Sequence, residues 1–306
     1  MRIYIQYNIM KIYYGIDSKR INVTKKVLEN CIIDSILMIS VEARHILFGD
    51  PILGVHKNIY IYDDTNALTV FDDKTDILYS LTTQKTLSID IPNKVSRLSD
   101  IHNRLTLVHG SFQHEYPEQV MVTDFLKGHE KVLELGANIG RNTLVIASIL
   151  NDSKNLVTLE CDPNIAAQLK ENRDLNSLEF HIENSALSMR SLIQKEWNTI
   201  VSDTVLDGYT KVNTLSYNEL VAKYSIEFDT LVADCEGALY YIFTDMPEML
   251  RNINLVIMEN DYHVLEHKEF VDSVLVNYGF ERVYNEQGGW GPCFDRFYEV
   301  WQKPTA

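Results

Sequence analysis

The sequence predicts an α/β fold, in which a mostly parallel sheet is covered by helices on both faces and a small β-rich domain precedes it. After residue 110, short apolar segments of strand type alternate with helical segments, as in a doubly wound sheet. The first of these strands runs into a turn with two glycines. Before residue 110 the segments are short and β-rich, with Asp, Asn and Gly turns between them. We therefore predict a β-rich domain or cap at 1–109 and an α/β domain at 110–306.

The elements follow from residue type and spacing, since β-branched and aromatic residues favour strands. In the N-terminal region the predicted strands are 11–14, 57–62, 67–71 and 86–91, and the predicted helix is 24–31. In the C-terminal region the predicted strands are 131–135, 156–159, 178–182, 231–233, 255–258, 280–284 and 297–301, and the predicted helices are 141–150 and 163–173. A sheet of this kind binds ligands at the carboxyl ends of its strands.

The strongest motif follows the first strand of the α/β domain, where Gly136 ends the strand and Gly140 opens the next helix. Without a Cβ, the backbone at these positions can approach a ligand closely. The spacing G-x-x-x-G differs from the G-x-G-x-x-G of dinucleotide-binding folds. Taken alone, the glycine pair is also compatible with a plain strand–helix turn.

A carboxylate, Glu160, ends the second strand and can accept hydrogen bonds from both hydroxyls of a ribose. After the third strand, Ser185 and the amide of Ala186 are candidate neighbours of an adenine, although a plain loop is the alternative. Together with the glycine turn, these residues predict a site for S-adenosylmethionine. The predicted cofactor-binding residues are Glu134, Gly136, Asn138, Gly140, Arg141, Asn142, Glu160, Cys161, Asp162, Ser185, Ala186 and Asp234.

Acidic residues gather at two further strand ends, which are neighbours in a doubly wound sheet. Methyl transfer needs the acceptor atom positioned in line with the methyl group, and a hydroxyl acceptor also needs a base or a metal. The predicted catalytic residues are Asp234, Glu236, Glu259 and His263. Asp234, Glu259 and Asp261 form a candidate Mg²⁺ site, because hard oxygen ligands suit that ion. The alternatives are that Glu236 caps the next helix and that His263 is a surface histidine.

The segment before the first strand contributes further candidates. Glu118 and Gln119 are candidate ligands of the methionine end of the cofactor, and His114 and Glu115 are candidates to face the acceptor. An ordinary connector into a helix is the alternative. Near the C-terminus, Trp290 lies in a glycine-rich loop, where it either stacks on a sugar ring or packs.

The charge of the chain limits the kinds of partner that can be expected, and its cysteine content indicates the compartment. The chain has 306 residues and a net charge of −15, and residues 1–110 hold 13 of its 28 Lys/Arg but only 12 of its 43 Asp/Glu. The acidic remainder would repel a phosphate backbone, so no nucleic-acid partner is expected.

No apolar window is long enough to span a membrane, and the start lacks the apolar core of a signal peptide. Four scattered cysteines favour a reducing compartment, so we expect a cytoplasmic protein. Homo-oligomer formation stays open.

With these residues identified, the chain resembles the FkbM-type family of class I S-adenosylmethionine-dependent methyltransferases. The matching pieces are 132–143, 159–163, 228–238, 257–261 and 279–301, so the resemblance covers roughly residues 110–303. It implies a seven-stranded doubly wound sheet and methylation of an oxygen, commonly a hydroxyl of a sugar or polyketide. The chain also resembles sequences from giant DNA viruses that join such a domain to a short N-terminal β region. A viral chain would lie in the cytoplasm of its host.

The chain departs from the family pattern at one point. The usual motif after the fourth strand resembles D-x-E-G-x-E, whereas Leu239 stands here in place of the second glutamate. That change puts in doubt any role of the second glutamate and leaves Asp234 and Glu236. The D/N-P-P-Y/F pattern of methyltransferases that act on base nitrogens is absent from this strand end, which disfavours base methylation.

The sequence thus predicts methyl transfer from S-adenosylmethionine to a hydroxyl oxygen, with a sugar or glycan as the expected acceptor. Two rival hypotheses remain open at this point. In the first, the acceptor is a small metabolite or a protein side chain. In the second, the α/β domain is a non-catalytic binding module that only supports the N-terminal cap.

Overall fold

The computed structural model describes residues 10–33, 36–39, 43–49, 51–52, 55–63, 65–72, 77–80, 85–86, 92–195, 198–288 and 291–304. It divides into two compact units, 1–91 and 92–306. The predicted boundary near residue 110 lies beyond this division. The reason is that Leu98 and Ile101 are buried in the core of the second unit, on which Leu105 and Leu107 also pack.

The first unit contains two antiparallel sheets, with the strand orders β2-β1-β5-β6 and β3-β4-β7-β8. The strands are β1 Lys11–Ile16, β2 Lys19–Asn22, β3 Ile32–Ile33, β4 Ile36–Ile39, β5 Asn58–Tyr62, β6 Leu68–Phe71, β7 Ile77–Ser80 and β8 Lys85–Thr86, and the helices are α1 Thr24–Asn30 and α2 Ala43–Phe48. The predicted β-rich character is confirmed, while β2, β3, β4 and β7 were not predicted. Residues 87–91 of the predicted strand 86–91, like Trp290, lie outside the described residues.

The second unit contains the predicted doubly wound sheet, and its seven strands run in the order β11-β10-β9-β17-β18-β20-β19. All neighbours are parallel except β20, which is antiparallel to β18 and β19. The strands of the second unit are β9 Val132–Leu135, β10 Leu156–Leu159, β11 His181–Glu183, β12 Ala186–Leu187, β13 Leu192–Lys195, β14 Asn198–Val201, β15 Thr210–Val212, β16 Thr214–Leu215, β17 Thr230–Ala233, β18 Leu255–Glu259, β19 Glu281–Glu286 and β20 Tyr298–Gln302. The fold class and the seven strands are therefore confirmed.

Helices cover both faces of this sheet. They are α3 Pro92–His102, α4 Tyr116–Phe125, α5 Arg141–Ile149, α6 Pro163–Leu175, α7 Tyr217–Tyr224, α8 Leu239–Asp245 and α9 Leu265–Asn277. Successive residues of a strand point to opposite faces, so Val132 packs in one core layer and Leu133 in the other. The described helices all lack the combination of length and apolar composition needed to cross a bilayer.

The order of the strands determines where a ligand would bind. From β9 the chain first proceeds outward through β10 and β11, and it then returns to β17 on the other side of β9. In open α/β sheets, the crevice at this reversal, outside the carboxyl ends of the strands, is the usual ligand site. The glycine turn after β9 and the acidic residues after β10, β17 and β18 all lie at this edge.

Candidate active site

The turn after β9 requires glycine at both predicted positions. Gly136 has a φ of 85°, and a Cβ there would lie 1.6 Å from the carbonyl oxygen of Asp234. Gly140 has a φ of 95°, and a Cβ there would lie 2.5 Å from the Cδ1 of Leu169. At Gly136 the backbone that follows β17 leaves no room for a side chain, and at Gly140 it is the positive φ that favours glycine.

Glu160 is joined to this turn through the backbone. Its Oε2 accepts a hydrogen bond from the Asn138 amide at 2.9 Å, and its Oε1 accepts one from the Asp162 amide at 2.8 Å. Burial raises the pKa of this carboxyl group above its ordinary value. Because each carboxylate oxygen has two lone pairs, one on each oxygen is left for a further donor such as a ribose hydroxyl. The structure thus brings the predicted ribose acid and the glycine turn together.

The lead-in segment also contacts the turn, through Glu115. Its carboxylate pairs with the Arg141 guanidinium and accepts a hydrogen bond from Asn138 Nδ2 at 3.2 Å. Burial raises the pKa of Glu115, and the Arg141 charge lowers it. Glu115 was predicted to face the acceptor, whereas the contacts of its carboxylate join the lead-in segment to the glycine turn. The neighbouring His114 is exposed.

Glu134 is buried beneath the turn. The hydroxyl of Thr158 on β10 donates a hydrogen bond to its Oε2 at 2.7 Å, and only 2% of the residue is exposed. Burial raises the pKa of the carboxyl group to about 7. This hydrogen bond joins β9, which carries Glu134, to β10.

On the predicted adenine side, the Ser185 hydroxyl is available for a hydrogen bond, whereas the Ala186 amide already donates one within the protein. Ser185 is 4% exposed, and its buried hydroxyl has no hydrogen-bond partner among the described residues. The Ala186 amide donates to the Asn213 carbonyl at 2.8 Å, so it is not free to donate to a base as predicted. Asp162 caps α6 by accepting hydrogen bonds from the amides of residues 164 and 165, which gives it a structural role.

On the acceptor side, the structure groups three carboxylates. Oxygen atoms of Glu118 on α4, Asp234 after β17 and Glu259 at the end of β18 lie within 4.8 Å of one another. Burial and the neighbouring carboxylates raise the pKa of Asp234 well above its ordinary value. Burial, together with Glu118 and Asp234, raises the pKa of Glu259 to about 12. We call Glu118, Asp234 and Glu259 the carboxylate triad.

This group differs from the predicted metal set in one member, since its third residue is Glu118 and Asp261 lies outside it. Glu118 was predicted only as a ligand of the methionine end, since nothing in the sequence shows how α4 crosses β18. Its Oε2 is buried without a hydrogen-bond partner among the described residues. Three hard oxygen donors fit a divalent cation, and they also fit an ammonium group.

The remaining acceptor-side residues differ in their exposure. Asp261 is buried, and burial with the nearby Glu236 raises its pKa to about 7. Glu236 is exposed with a φ of 52°, and α8 begins after Ala238 without a side-chain cap, so the capping alternative for Glu236 is not observed. His263 is exposed just before α9, as expected for the surface alternative. Cys235 is half-buried, and burial raises its pKa well above the ordinary value.

The chain can be compared with known proteins once this geometry is established. No protein-family model matches it, and no curated protein matches it. Among solved structures it is similar to an O-methyltransferase from Bacillus cereus in complex with SAH, with 14% identity, a TM-score of 0.42, and coverage of 70% of this chain and 96% of that chain. It is also similar to a ribosomal protein L11 methylase from Lactobacillus delbrueckii subsp. bulgaricus, with 12% identity, a TM-score of 0.41, and coverage of 65% and 82%.

A methyltransferase from Pyrococcus furiosus is a further neighbour, with 12% identity, a TM-score of 0.38, and coverage of 70% of this chain and 100% of that chain. All three structures are named as methyltransferases or methylases, and their sequence identity to this chain is low. Their names cover different acceptors, so they do not decide the acceptor of this chain. The predicted FkbM-type membership stays a prediction.

Proposed function

We propose that the chain transfers a methyl group from S-adenosylmethionine to a hydroxyl oxygen of a sugar or glycan. The observation that carries this proposal is the bond between the Asn138 amide in the glycine turn and the Glu160 carboxylate after β10. It joins a close-approach backbone turn to a carboxylate with free lone pairs, at the edge where such sheets bind ligands. A plain strand–helix turn would not need that carboxylate.

The residues divide between the parts of the donor. Glu160 accepts hydrogen bonds from the ribose hydroxyls, and the turn at Gly136–Gly140 lies under the methionine part. Ser185, whose buried hydroxyl has no partner among the described residues, borders the base. Glu118 and Asp234 face the ammonium group. The donor supplies the methyl group on a positively charged sulfur, and a pocket of carboxylates favours such a cation.

The acceptor side must position the hydroxyl and receive its proton. Glu236 and Glu259 orient the acceptor by accepting its hydrogen bonds. Asp261, whose buried Oδ1 has no partner among the described residues, and His263 are the candidate bases. The carboxylate triad holds either the donor's ammonium group or a Mg²⁺ ion, and a metal there would make the hydroxyl more acidic.

Aromatic side chains support a sugar as the acceptor. Tyr240 and His267 stack with ring centroids 3.7 Å apart, and Tyr241 packs edge-on against both. These residues lie in the first turns of α8 and α9, the helices that follow the two acidic strand ends. Tyr241 is 40% exposed. Aromatic faces suit the apolar face of a sugar ring, and carboxylates at the preceding strand ends suit its hydroxyls.

The finer parts of the proposal rest on sequence. The motifs at 132–143, 159–163, 228–238 and 257–261 support the FkbM-type family, and the short β region supports the variant seen in giant DNA viruses. Unpaired thiols at all four cysteines support the cytoplasm. The acidic α/β domain argues against a nucleic-acid partner. The rival acceptors are a small metabolite and a protein side chain.

The test compares wild type with Glu160→Gln for binding of S-adenosylhomocysteine and of its analogue that lacks both ribose hydroxyls. We expect wild type to bind the natural ligand at least about 10-fold more tightly than the analogue, and Glu160→Gln to lose that preference. The exposed Glu248→Gln is the matched control. Wild type that binds neither ligand at millimolar concentration, while folded, would overturn the proposal and favour a non-catalytic module.

The acceptor is found with a labelled methyl donor, using a panel of glycans, small hydroxyl metabolites and peptides. Each reaction is run with EDTA and with added Mg²⁺. Labelling of a glycan supports the sugar proposal, whereas labelling only of a peptide or a metabolite would replace it. A rate that EDTA abolishes and Mg²⁺ restores would assign the triad to a metal, and an unchanged rate would assign it to the ammonium group.

A further inference from the structure

A small antiparallel sheet, with the strand order β14-β13-β15, is inserted into the α/β domain next to the proposed adenine side. The chain leaves the domain through β12 and returns through β16, which pair in parallel. The Ala186 amide closes this base by donating to the Asn213 carbonyl at 2.8 Å. The insertion therefore begins and ends beside Ser185, and it uses the backbone amide that a base would otherwise meet.

One side chain of the insertion reaches the strand end that carries Glu160. The thiol of Cys161, the next residue, donates a hydrogen bond to the Oε1 of Gln194 on β13 at 3.5 Å. Burial raises the pKa of this thiol to about 11, so it stays protonated and keeps donating at neutral pH. In this arrangement the oxygen of the Gln194 amide faces Cys161 and its nitrogen points away.

A carboxamide is chemically matched to adenine. The edge of the base presents a donor, the N6 amino group, next to an acceptor ring nitrogen, and a glutamine side chain offers an acceptor and a donor at the same spacing. The second lone pair of Gln194 Oε1 remains available after the bond from Cys161. The unpartnered Ser185 hydroxyl adds a second polar group on this side.

We propose that Gln194 recognises the adenine of the methyl donor, and that the inserted sheet is the wall of the adenine subsite. This inference rests on the proposed function. Gln194 Oε1 accepts from the N6 amino group, and Nε2 donates to a ring nitrogen. Cys161 holds the amide in that orientation, so the site distinguishes adenine from hypoxanthine, which has an oxygen in place of the amino group.

The experiment measures dissociation constants of S-adenosylhomocysteine and of S-inosylhomocysteine by calorimetry for wild type, Gln194→Met and Lys195→Met. The matched control, Lys195, is exposed and points to the opposite face of the same strand. We expect wild type to prefer the adenine compound by roughly 10-fold or more, as for one well-placed carboxamide contact. In Gln194→Met, the dissociation constant of S-adenosylhomocysteine should rise by a similar factor. The preference for S-adenosylhomocysteine over S-inosylhomocysteine should disappear.

The base preference is the decisive readout, because a merely structural role of Gln194 would weaken both ligands equally. Gln194→Met that keeps the wild-type preference, or that binds the adenine compound as tightly as wild type, would overturn the inference. Lys195→Met should match wild type for both ligands, and an equal loss in Lys195→Met would also overturn it. Folded wild type that binds neither compound would overturn the proposed function itself.

Discussion

The two halves of the candidate site differ in how their carboxylates are paired. On the glycine-turn side, Glu160 accepts two backbone amides and Glu115 pairs with Arg141. On the acceptor side, oxygens of Glu118, Asp234 and Glu259 lie within 4.8 Å of one another. Burial and Glu118 raise the pKa of Asp234 there, and burial, Glu118 and Asp234 raise that of Glu259. The carboxylates of the first half have partners before a ligand arrives, whereas those of the second need a proton or a cation.

This difference indicates a division of labour. Preorganised hydrogen bonds hold the donor in a fixed place without rearrangement during the reaction. Carboxylates that repel one another reduce the stability of the empty protein, and the binding of a cation relieves that repulsion. Functional sites often reduce stability in this way. Three substitutions test the comparison, and the first addresses the glycine turn.

Gly136→Ala should have the largest effect. A Cβ at this position would lie 1.6 Å from the Asp234 carbonyl oxygen, so the turn must move away from β17. We expect the dissociation constant of S-adenosylhomocysteine to rise at least about 100-fold, with a loss of stability of about 3 kcal/mol or more. Calorimetry and thermal unfolding measure the two effects.

Gly279→Ala is the matched control for that substitution. Gly279 has nearly the same φ, 84°, but a Cβ there meets no atom within 4 Å. Its cost should be limited to the left-handed backbone, about 1 kcal/mol, with unchanged ligand binding. Equal losses of stability and of ligand binding in the two variants would contradict this explanation. Glycine would then be needed at position 136 for its backbone conformation and not for the close approach to β17.

Asp234→Asn addresses the repelling half. It removes one charge from the carboxylate triad, so the empty protein should melt at a higher temperature, most clearly at pH 8. Because the pKa of Asp234 is raised, ionising this residue is harder in the folded protein than in the unfolded chain. The folded protein therefore loses stability as the pH rises, and the asparagine variant avoids that loss. The same variant should bind S-adenosylmethionine more weakly, because the cationic donor loses a negative partner.

Asp203→Asn, at an exposed loop position, is the control for Asp234→Asn and should change neither quantity. Thermal unfolding at pH 6 and pH 8 and calorimetry with S-adenosylmethionine measure both effects. A lower melting temperature in Asp234→Asn would contradict the view that the triad is held together against repulsion.

The sequence predicted the glycine-turn half better than the repelling half, for a physical reason. Gly136 and Gly140 lie in the turn after β9, and Glu160 follows β10, the next strand along the chain, so their spacing already determines their proximity. Glu118 joins Asp234 and Glu259 only because α4 packs near β18, which no local pattern reveals.

The inserted strands were missed for a related reason. They are only two to four residues long and alternate little in hydrophobicity, so they give weak strand signals. The contact between Gln194 and Cys161 spans 33 residues and depends on how this insertion folds back. The seven-stranded sheet, in contrast, was predictable because its central strands are buried on both faces and read as continuous apolar runs.

The smallest predicted effect concerns Glu134, which lies on the glycine-turn side. Burial raises its pKa to about 7. Its ordinary pKa is about 4.5. The folded protein therefore holds this proton more tightly than the unfolded chain, and stability falls as pH rises from about 4.5 to about 7.

Glu134→Gln carries no such charge and keeps an oxygen for the Thr158 hydroxyl. Its unfolding free energy, relative to wild type, should increase by about 2 kcal/mol between pH 5 and pH 8. Denaturant titrations at both values measure this difference, with the exposed Glu248→Gln as control. A difference that is the same at both pH values would mean that Glu134 ionises normally, and the contrast between the two halves would then be confined to the triad.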